Sequence, residues 1–429
     1  MKTKENSRYI LIMCIIFFTT SSYAQETFPK NDVLDERPTA VAFTNATVVV
    51  DPSQIMENAT LLIDNGKVVS VNPKNEVPIG YREIDLKGRY VYPSFIEMFS
   101  EYGQPEVKRP PFRSPFVSRE QIQSSTKGPY NANEAIKSHY NSSEHFTVDK
   151  KQAVKLRAQG FGSVAALRRD GIARGTAALV ALGEGTENQM VIKSKVADHF
   201  SFDKGSSTQD YPISPMGTIS LLRQTFYDAK WYQTNRNKQF SDLSLDALIA
   251  NKDLPKIMEA EGWLTALRAD KIAEEFSFKF IIKGGGDEYQ RMKEVKQMNS
   301  PMIIPIDFPQ AYDVNDPHIT EKITLGDLKH WELAPSNPAY LEKNKVPFAI
   351  TSFPPENTAD FLKNLRKSVT YGLSKSVALS SVTTVPAKLL KVENILGTLQ
   401  EGKVANFIIT DGDLFEQGTM ILENWIKGE

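Results

Sequence analysis

Apolar and polar positions alternate along residues 42–50 and again along 59–71, the two-residue period of strands with one buried face. Asp51-Pro52-Ser53 separates the two runs, and Asn65-Gly66 breaks the second as a hairpin turn. A third short strand, around 83–86, leads through Gly88 into residues 91–103, an apolar strand that opens into a polar loop ending at Gly103. Residues 152–159 predict a helix stopped by Gly160, and 161–167 the strand after it. Apolar runs at 177–182 and 190–192 follow at short intervals. Ser214-Pro215 starts a long helix with Met216, Ile219, Leu222 and Phe226 on one face. Residues 262–276 form another, with Ala269, Ile272, Ala273 and Phe276 on one stripe. Strand 278–282, loop Gly284-Gly285-Gly286, helix 287–298 and strand 302–306 then make a crossover unit, which implies parallel pairing. The repetition of this rhythm from Val91 to Ile350 places the chain in the α/β class, as a barrel or an open sheet.

Composition narrows the partners. With 429 residues, 41% apolar, 24% charged and a net charge of −1, the chain has the balance of a large globular protein, with no basic stripe for nucleic acid. Lys2, Lys4 and Arg8 precede an apolar stretch at 9–18, and Ser22-Tyr23-Ala24 supplies the small residues of a cleavage site. Residues 1–24 are therefore expected to be a removed secretory signal, with a mature periplasmic or otherwise exported chain from Gln25; an uncleaved anchor is the alternative. No later segment is apolar for long enough to span a membrane. Cys14 is the only cysteine and lies within that signal, so the mature chain has no disulfide and no thiolate. Residues 104–150, with Pro105, Pro110, Pro111 and Pro115 among Lys108, Arg109 and Arg113, hold no helical period and read as a long solvated insertion.

Several segments share the wording of one family. Pro93-Ser94-Phe95-Ile96-Glu97 resembles the first barrel strand of the amidohydrolase superfamily, and Asp64-Asn65-Gly66-Lys67-Val68 its opening hairpin. Phe161-Gly162-Ser163-Val164 resembles its second strand. Residues 379–387 resemble the helix that ends its barrel, and Gly397-Thr398-Leu399 with Gly402-Lys403-Val404-Ala405-Asn406-Phe407 resembles its closing motif, where Gly402 is expected to turn between two strands. The resemblance implies a (β/α)8 TIM-like barrel at 91–385. It also implies a small β-sandwich built from the N-terminal strands of 25–90 and the C-terminal strands of 386–429. The final residues, 424–429, suit one unit of a longer tandem polypeptide in which a second barrel keeps the chemistry.

The same resemblance implies a Zn²⁺ or other divalent metal. It would be held by a His-x-His pair after strand one, an acidic or carbamylated-lysine ligand near strand four and histidines after strands five and six. An aspartate after strand eight would take the proton of the metal-bound water. Here the positions of the pair are Phe99 and Glu101, and Phe353 replaces the aspartate. Lys283-Gly284-Gly285-Gly286 offers no histidine, and Glu259 and Glu261 fall near the fifth position. Of the five histidines, His139, His145, His199, His318 and His330, no two stand at metal-ligand spacing. Pocket-lining candidates are Glu97, Phe99, Glu101, Asp287, Asp307 and Phe353, beside the carboxylates Glu259, Glu261 and Glu288. Asp287 is expected to begin a helix, and the glycine triplet to be a loop. No bound cofactor is expected. Three functions follow: an inactive scaffold or partner of an active amidohydrolase domain or chain, a hydrolase of non-peptide C–N bonds with a carboxylate-held ion, or a module binding a small periplasmic ligand.

Overall fold

The computed structural model describes residues 39–72, 76–109, 124–235, 240–313 and 315–429. The signal, and Pro110, Pro111, Arg113 and Pro115 of the insertion, lie outside them. Two sheets carry the described chain.

The first sheet takes strands from both ends of the sequence. β1 (Val41–Asp51), β2 (Gln54–Asp64) and β3 (Lys67–Asn72) form an antiparallel meander, and β4 (Arg82–Asp85) and β5 (Tyr90–Pro93) pair in parallel with β1. Asn65 and Gly66 both adopt positive φ, 48° and 72°, which a two-residue hairpin turn requires. From the far end of the chain, β14 (Phe407–Thr410) inserts beside β5, and β15 (Ile421–Trp425) pairs with β14. The result is one seven-stranded sheet. Phe43 packs edge-on against Phe407 and Trp425, with centroids 5.1 and 4.9 Å away, so the core of this sheet exists only when the two termini meet. Residues 397–406 contain no strand. Gly402, at φ 81°, turns within a loop tied to β3 through Val68.

The stretch at 91–103 is divided between the two sheets. β5 ends at Pro93, and β6 (Phe95–Ser100) opens the second sheet. Ser94 is the corner: its N–H donates to Asn406 and its hydroxyl to Asn424, both in the C-terminal segment. A Cβ at Gly162 would stand 2.5 Å from that of Ser94, so the strand beside this corner must carry glycine there.

The second sheet has eight strands in sequence order: β6, β7 (Phe161–Ala166), β8 (Ala173–Ala181), β9 (Val191–Ser201), β10 (Lys256–Glu259), β11 (Phe280–Lys283), β12 (Met302–Pro305) and β13 (Phe348–Thr351). From β9 to β13 the pairing is parallel, as the helix–strand rhythm predicts. β8 breaks that rhythm. It runs antiparallel to both β7 and β9, and only the four-residue helix Glu187–Met190 stands between β8 and β9. A turn at Arg168–Gly171 leaves too little chain for a crossover helix, so β7, β8 and β9 form a meander instead of two β/α units.

All eight strands contribute side chains to one apolar cluster, among them Met98, Ala165, Leu179, Ala197, Ile257, Ile281, Ile303 and Ala349; Ala387, Leu390 and Leu396 join it from the C-terminal segment. On the outer face, helices pack against residues such as Phe200 and Phe280. In helix Pro215–Thr234, capped by Ser214, the buried face is Thr218, Leu222, Thr225, Phe226, Ala229 and Tyr232. Met216, expected on that face, is 77% exposed because it lies in the first turn beyond the sheet. Helix Trp263–Glu275 buries Ala269, Ile272 and Ala273 as expected. The helix expected at 379–387 is broken at Thr383 into Lys375–Val382 and Thr384–Leu389. In the insertion, Ala135, Ile136 and Ser138 are buried, and Lys137 and Thr176 donate to Ala173 and Tyr140 across the gap to β8. This part of 104–150 is therefore a wall packed on the sheet, and the expectation of a solvated insertion does not hold for it.

Candidate functional site

The C-terminal ends of β6, β10, β11 and β13 bring Phe99, Glu259, Lys283 and Phe353 together. Phe99 has no exposed surface, and its ring meets that of half-buried Phe353 edge to face, with centroids 5.3 Å apart. The Arg169 guanidinium lies over both rings, 4.5 Å from Phe353 and 5.9 Å from Phe99. Lys283 Nζ lies 5.8 Å from the Phe99 centroid and 5.5 Å from Phe353. Cations and π faces attract electrostatically at such distances.

Glu259 is the anion of the cluster. Arg169 donates to its Oε1 from Nη2 at 2.6 Å and to its Oε2 from Nε at 3.4 Å, and Arg174 also donates to Oε2. Burial alone pushes this carboxyl up; the two guanidinium groups outweigh burial and hold it at about 2. Arg169 also reaches Glu101 at 3.5 Å. Burial pulls the Lys283 ammonium down, Glu259 opposes that, and Arg169 adds to it; the net direction is down. His199, on β9, has its ring 5.8 Å from Phe99 and no hydrogen-bond partner on either nitrogen among the described residues. Burial, reinforced by Arg174, holds it at about 3, so it is a neutral core histidine at physiological pH.

Of the sequence candidates, Phe99, Glu101 and Phe353 converge on this place, with Glu259 beside them. Glu97 does not line it. Completely buried, Glu97 accepts hydrogen bonds from Phe99 N–H (2.9 Å), the Thr351 hydroxyl (2.6 Å), Ser352 N–H (2.7 Å) and the Ser352 hydroxyl (2.8 Å). It ties β6, the first strand of the sheet, to the last, β13, and burial pushes its carboxyl up against those hydrogen bonds. Asp287 caps the neighbouring helix, accepting from Trp263 N–H at 3.0 Å; its own segment begins with a 3₁₀ turn that it does not cap. Asp307 is exposed after β12, and Glu288 is buried against Asn337. Gly284 leaves the room that Glu288 fills: a Cβ there would stand 2.0 Å from Glu288 Oε1. Arg169, Arg174 and Lys283 were not singled out from sequence. The available signal was position, since Arg168-Arg169 directly follows the apolar run to Leu167, and Lys283 directly follows Phe280-Ile281-Ile282.

A divalent metal does not fit this donor set. The first- and eighth-strand positions present phenyl rings, the sixth a lysine, and the fifth a carboxylate already shared by two arginines. Among the described residues no group of three or more His, Cys, Asp or Glu is placed to hold a metal ion. The remaining histidines are dispersed: His139 pairs with Ser244 (3.0 Å), His145 stacks on Tyr140, His330 pairs with Tyr289 (2.9 Å) and His318 is exposed.

Two cavities open beside the cluster. One, of 280 Å³, is lined by both rings with Ser100, Ser352, Lys151 and Lys155. The other, of 490 Å³, is lined by Arg169, Ser201, Phe202, Glu259, Glu261 and Arg268. Among the described residues no helix is long and apolar enough to cross a membrane.

Residues 353–428 match the model of the Amidohydrolase family. No curated protein matches the chain. Among solved structures, an amidohydrolase from Thermotoga maritima MSB8 is similar at 21% identity, over 90% of this chain and 98% of its own, with a TM-score of 0.70. A Xaa-Pro dipeptidase with methionine bound in its active site is similar at 14% identity, over 91% and 98%, with a TM-score of 0.52. A prolidase complexed with N-methylphosphonate-L-proline gives the same values.

Proposed function

We propose that the chain is a member of the amidohydrolase superfamily that has lost metal-dependent hydrolysis and serves as a scaffold or partner of an active amidohydrolase domain or chain; the family match at 353–428 and the likeness to solved amidohydrolase structures support this. The observation that carries this reading is the cluster of Phe99, Phe353, Lys283 and Arg169 at the strand ends where the superfamily holds its metal. Two phenyl rings cannot ligate a metal, and two fixed cations repel one. We further read the eight-stranded sheet as a closed barrel. The apolar cluster shared by all eight strands supports this, as do the hydrogen bonds that Glu97 on the first strand accepts from Thr351 and Ser352 at the end of the last. The seven-stranded sheet is read as the accessory sandwich. Export by a cleaved signal ending at Ala24 completes the proposal.

A partner role has surface support. Helix Leu325–Leu333 buries none of its residues, and Leu325 (69% exposed), Leu328 and Trp331 lie at three-residue spacing along it. The test is a hydrolysis panel of N-acyl amino acids, dipeptides and cyclic amides, with and without Zn²⁺. A second arm mixes the chain with an active amidohydrolase that carries the His-x-His pair. No turnover alone, and a stable complex by size exclusion, are expected. Zinc-dependent turnover by the isolated chain would refute the loss of hydrolysis, and the absence of any complex would refute the partner role.

A further inference from the structure

Lys283 closes β11 with 6% of its surface exposed. Its ammonium faces the Phe99 and Phe353 rings, and among the described residues no hydrogen-bond or ion-pair acceptor reaches it. The Arg169 guanidinium lies over the same two rings. Hydrocarbon desolvation and a neighbouring cation both favour a neutral amine over an ammonium, the two circumstances that activate a lysine as a nucleophile. Glu259, its register partner on β10, acts in the opposite sense, as do Glu261 and Glu288. Glu259 is already engaged by Arg169 and Arg174, however, so the fold does not need Lys283 to neutralise it. The amine therefore stands beside a filled ion pair, at the strand ends where barrel-type sheets place their chemistry. The 490 Å³ cavity reaches Glu259, one strand away, and presents Arg268, which has no ion-pair partner among the described residues.

We propose that Lys283 is an amine nucleophile that condenses with a small carbonyl compound bearing a carboxylate, an aldehyde or ketone acid. The deprotonated form of Nζ, in equilibrium with the ammonium, attacks the carbonyl carbon, a C–N bond forms, and the carbonyl π pair moves to oxygen, which takes a proton from solvent while nitrogen gives one up to solvent. The carbinolamine hydroxyl then takes a second proton from solvent and leaves as water while nitrogen releases its remaining proton to solvent. Amine and carbonyl thus give imine and water, with no change of oxidation state. Arg268 pairs with the carboxylate, and the ring pair keeps Nζ dehydrated. This goes beyond the proposed function and fails separately from it, because trapping reads a new C–N bond and not amide hydrolysis.

The test incubates the full chain with glyoxylate at neutral pH, reduces with sodium borohydride, and maps the adducts by peptide mass. Lys283 is expected to carry several-fold more adduct than exposed Lys151 and Lys155, because burial and the neighbouring Arg169 guanidinium favour its neutral amine. In urea-denatured chain that preference should vanish, and in Lys283→Arg the adduct should be lost while fold is retained by circular dichroism. Lys283→Met is expected to match Lys283→Arg in losing the adduct. Adduct on Lys283 no greater than on the exposed lysines in native chain overturns the proposal. Native-against-denatured labelling of the unaltered chain decides the matter even where a variant does not fold.

Discussion

Placing a histidine and an aspartate among these groups, by Phe99→His with Phe353→Asp, is expected to destabilise the protein and not to create a metal site. Phe99 is completely buried, so an imidazole in its place gives up about 1–2 kcal/mol of apolar burial. The edge-to-face contact with Phe353 adds about 1 kcal/mol. The new imidazole is desolvated beside the cations Arg169 and Lys283, which costs about 1–3 kcal/mol more. Together the first substitution costs about 4 kcal/mol. The second costs less, because a carboxylate at the Phe353 position sits within reach of Arg169 and Lys283 and gains charge-assisted contacts. For the folded unit from Thr39 to Glu429, an unfolding entropy of about 0.8 kcal/mol/K follows from the per-residue average, so the melting temperature should fall by about 5 °C. The assay is thermal unfolding of both single variants and the double variant, with and without one equivalent of zinc. An unchanged melting temperature for Phe99→His without metal would mean that the ring is not packed as described. A rise with zinc in the double variant would mean that the site accepts metal after all.

Glu259→Gln leaves Arg169 and Arg174 without their shared counter-charge and should cost about 3–5 kcal/mol in urea unfolding; a loss below about 1 kcal/mol would show the ion pairs to be energetically idle. His199 stays neutral in the fold down to about pH 3 but protonates near 6.5 when unfolded, so the unfolded chain binds the extra proton and stability falls as pH drops through that window. His199→Phe should flatten the stability–pH curve between those values, and an unaltered slope would refute the assignment. Asp198 is buried, and burial outweighs the Lys256 ammonium and the His199 N–H and raises its carboxyl above the ordinary value. The stability of its neutral form is present at low pH and lost as pH rises, so Asp198→Asn should raise the melting temperature more at alkaline than at acid pH; a uniform change would count against it. Elemental analysis of the purified chain is expected to find less than stoichiometric zinc, and close to one zinc per chain after mild chelation would contradict the donor-set reasoning.

What the sequence determined by itself was local. The strand at 42–50, the Asn65-Gly66 turn, the Ser214-Pro215 helix start and the strand–helix–strand unit at 278–306 each follow from contacts within a few residues, and all four stand in the structure, although β1 is buried on both faces instead of one. The phenylalanines at 99 and 353 were equally legible, since residue identities need no coordinates. Tertiary structure decided the rest, because the deciding partners are distant in sequence. β8 lies antiparallel because the short turns on either side of it leave no length for crossovers, which a run of small and apolar residues does not announce. Glu97 read as a pocket carboxylate and proved to be a buried tie, its partners Thr351 and Ser352 lying some 250 positions onward. The cation cluster joins Arg169 and Arg174, from the turn into β8, to Lys283 more than a hundred positions onward, and a charge on a strand end carries no sequence mark of what it faces. Only folding sets Arg169 and Lys283 over two phenyl rings, where low dielectric makes each one count.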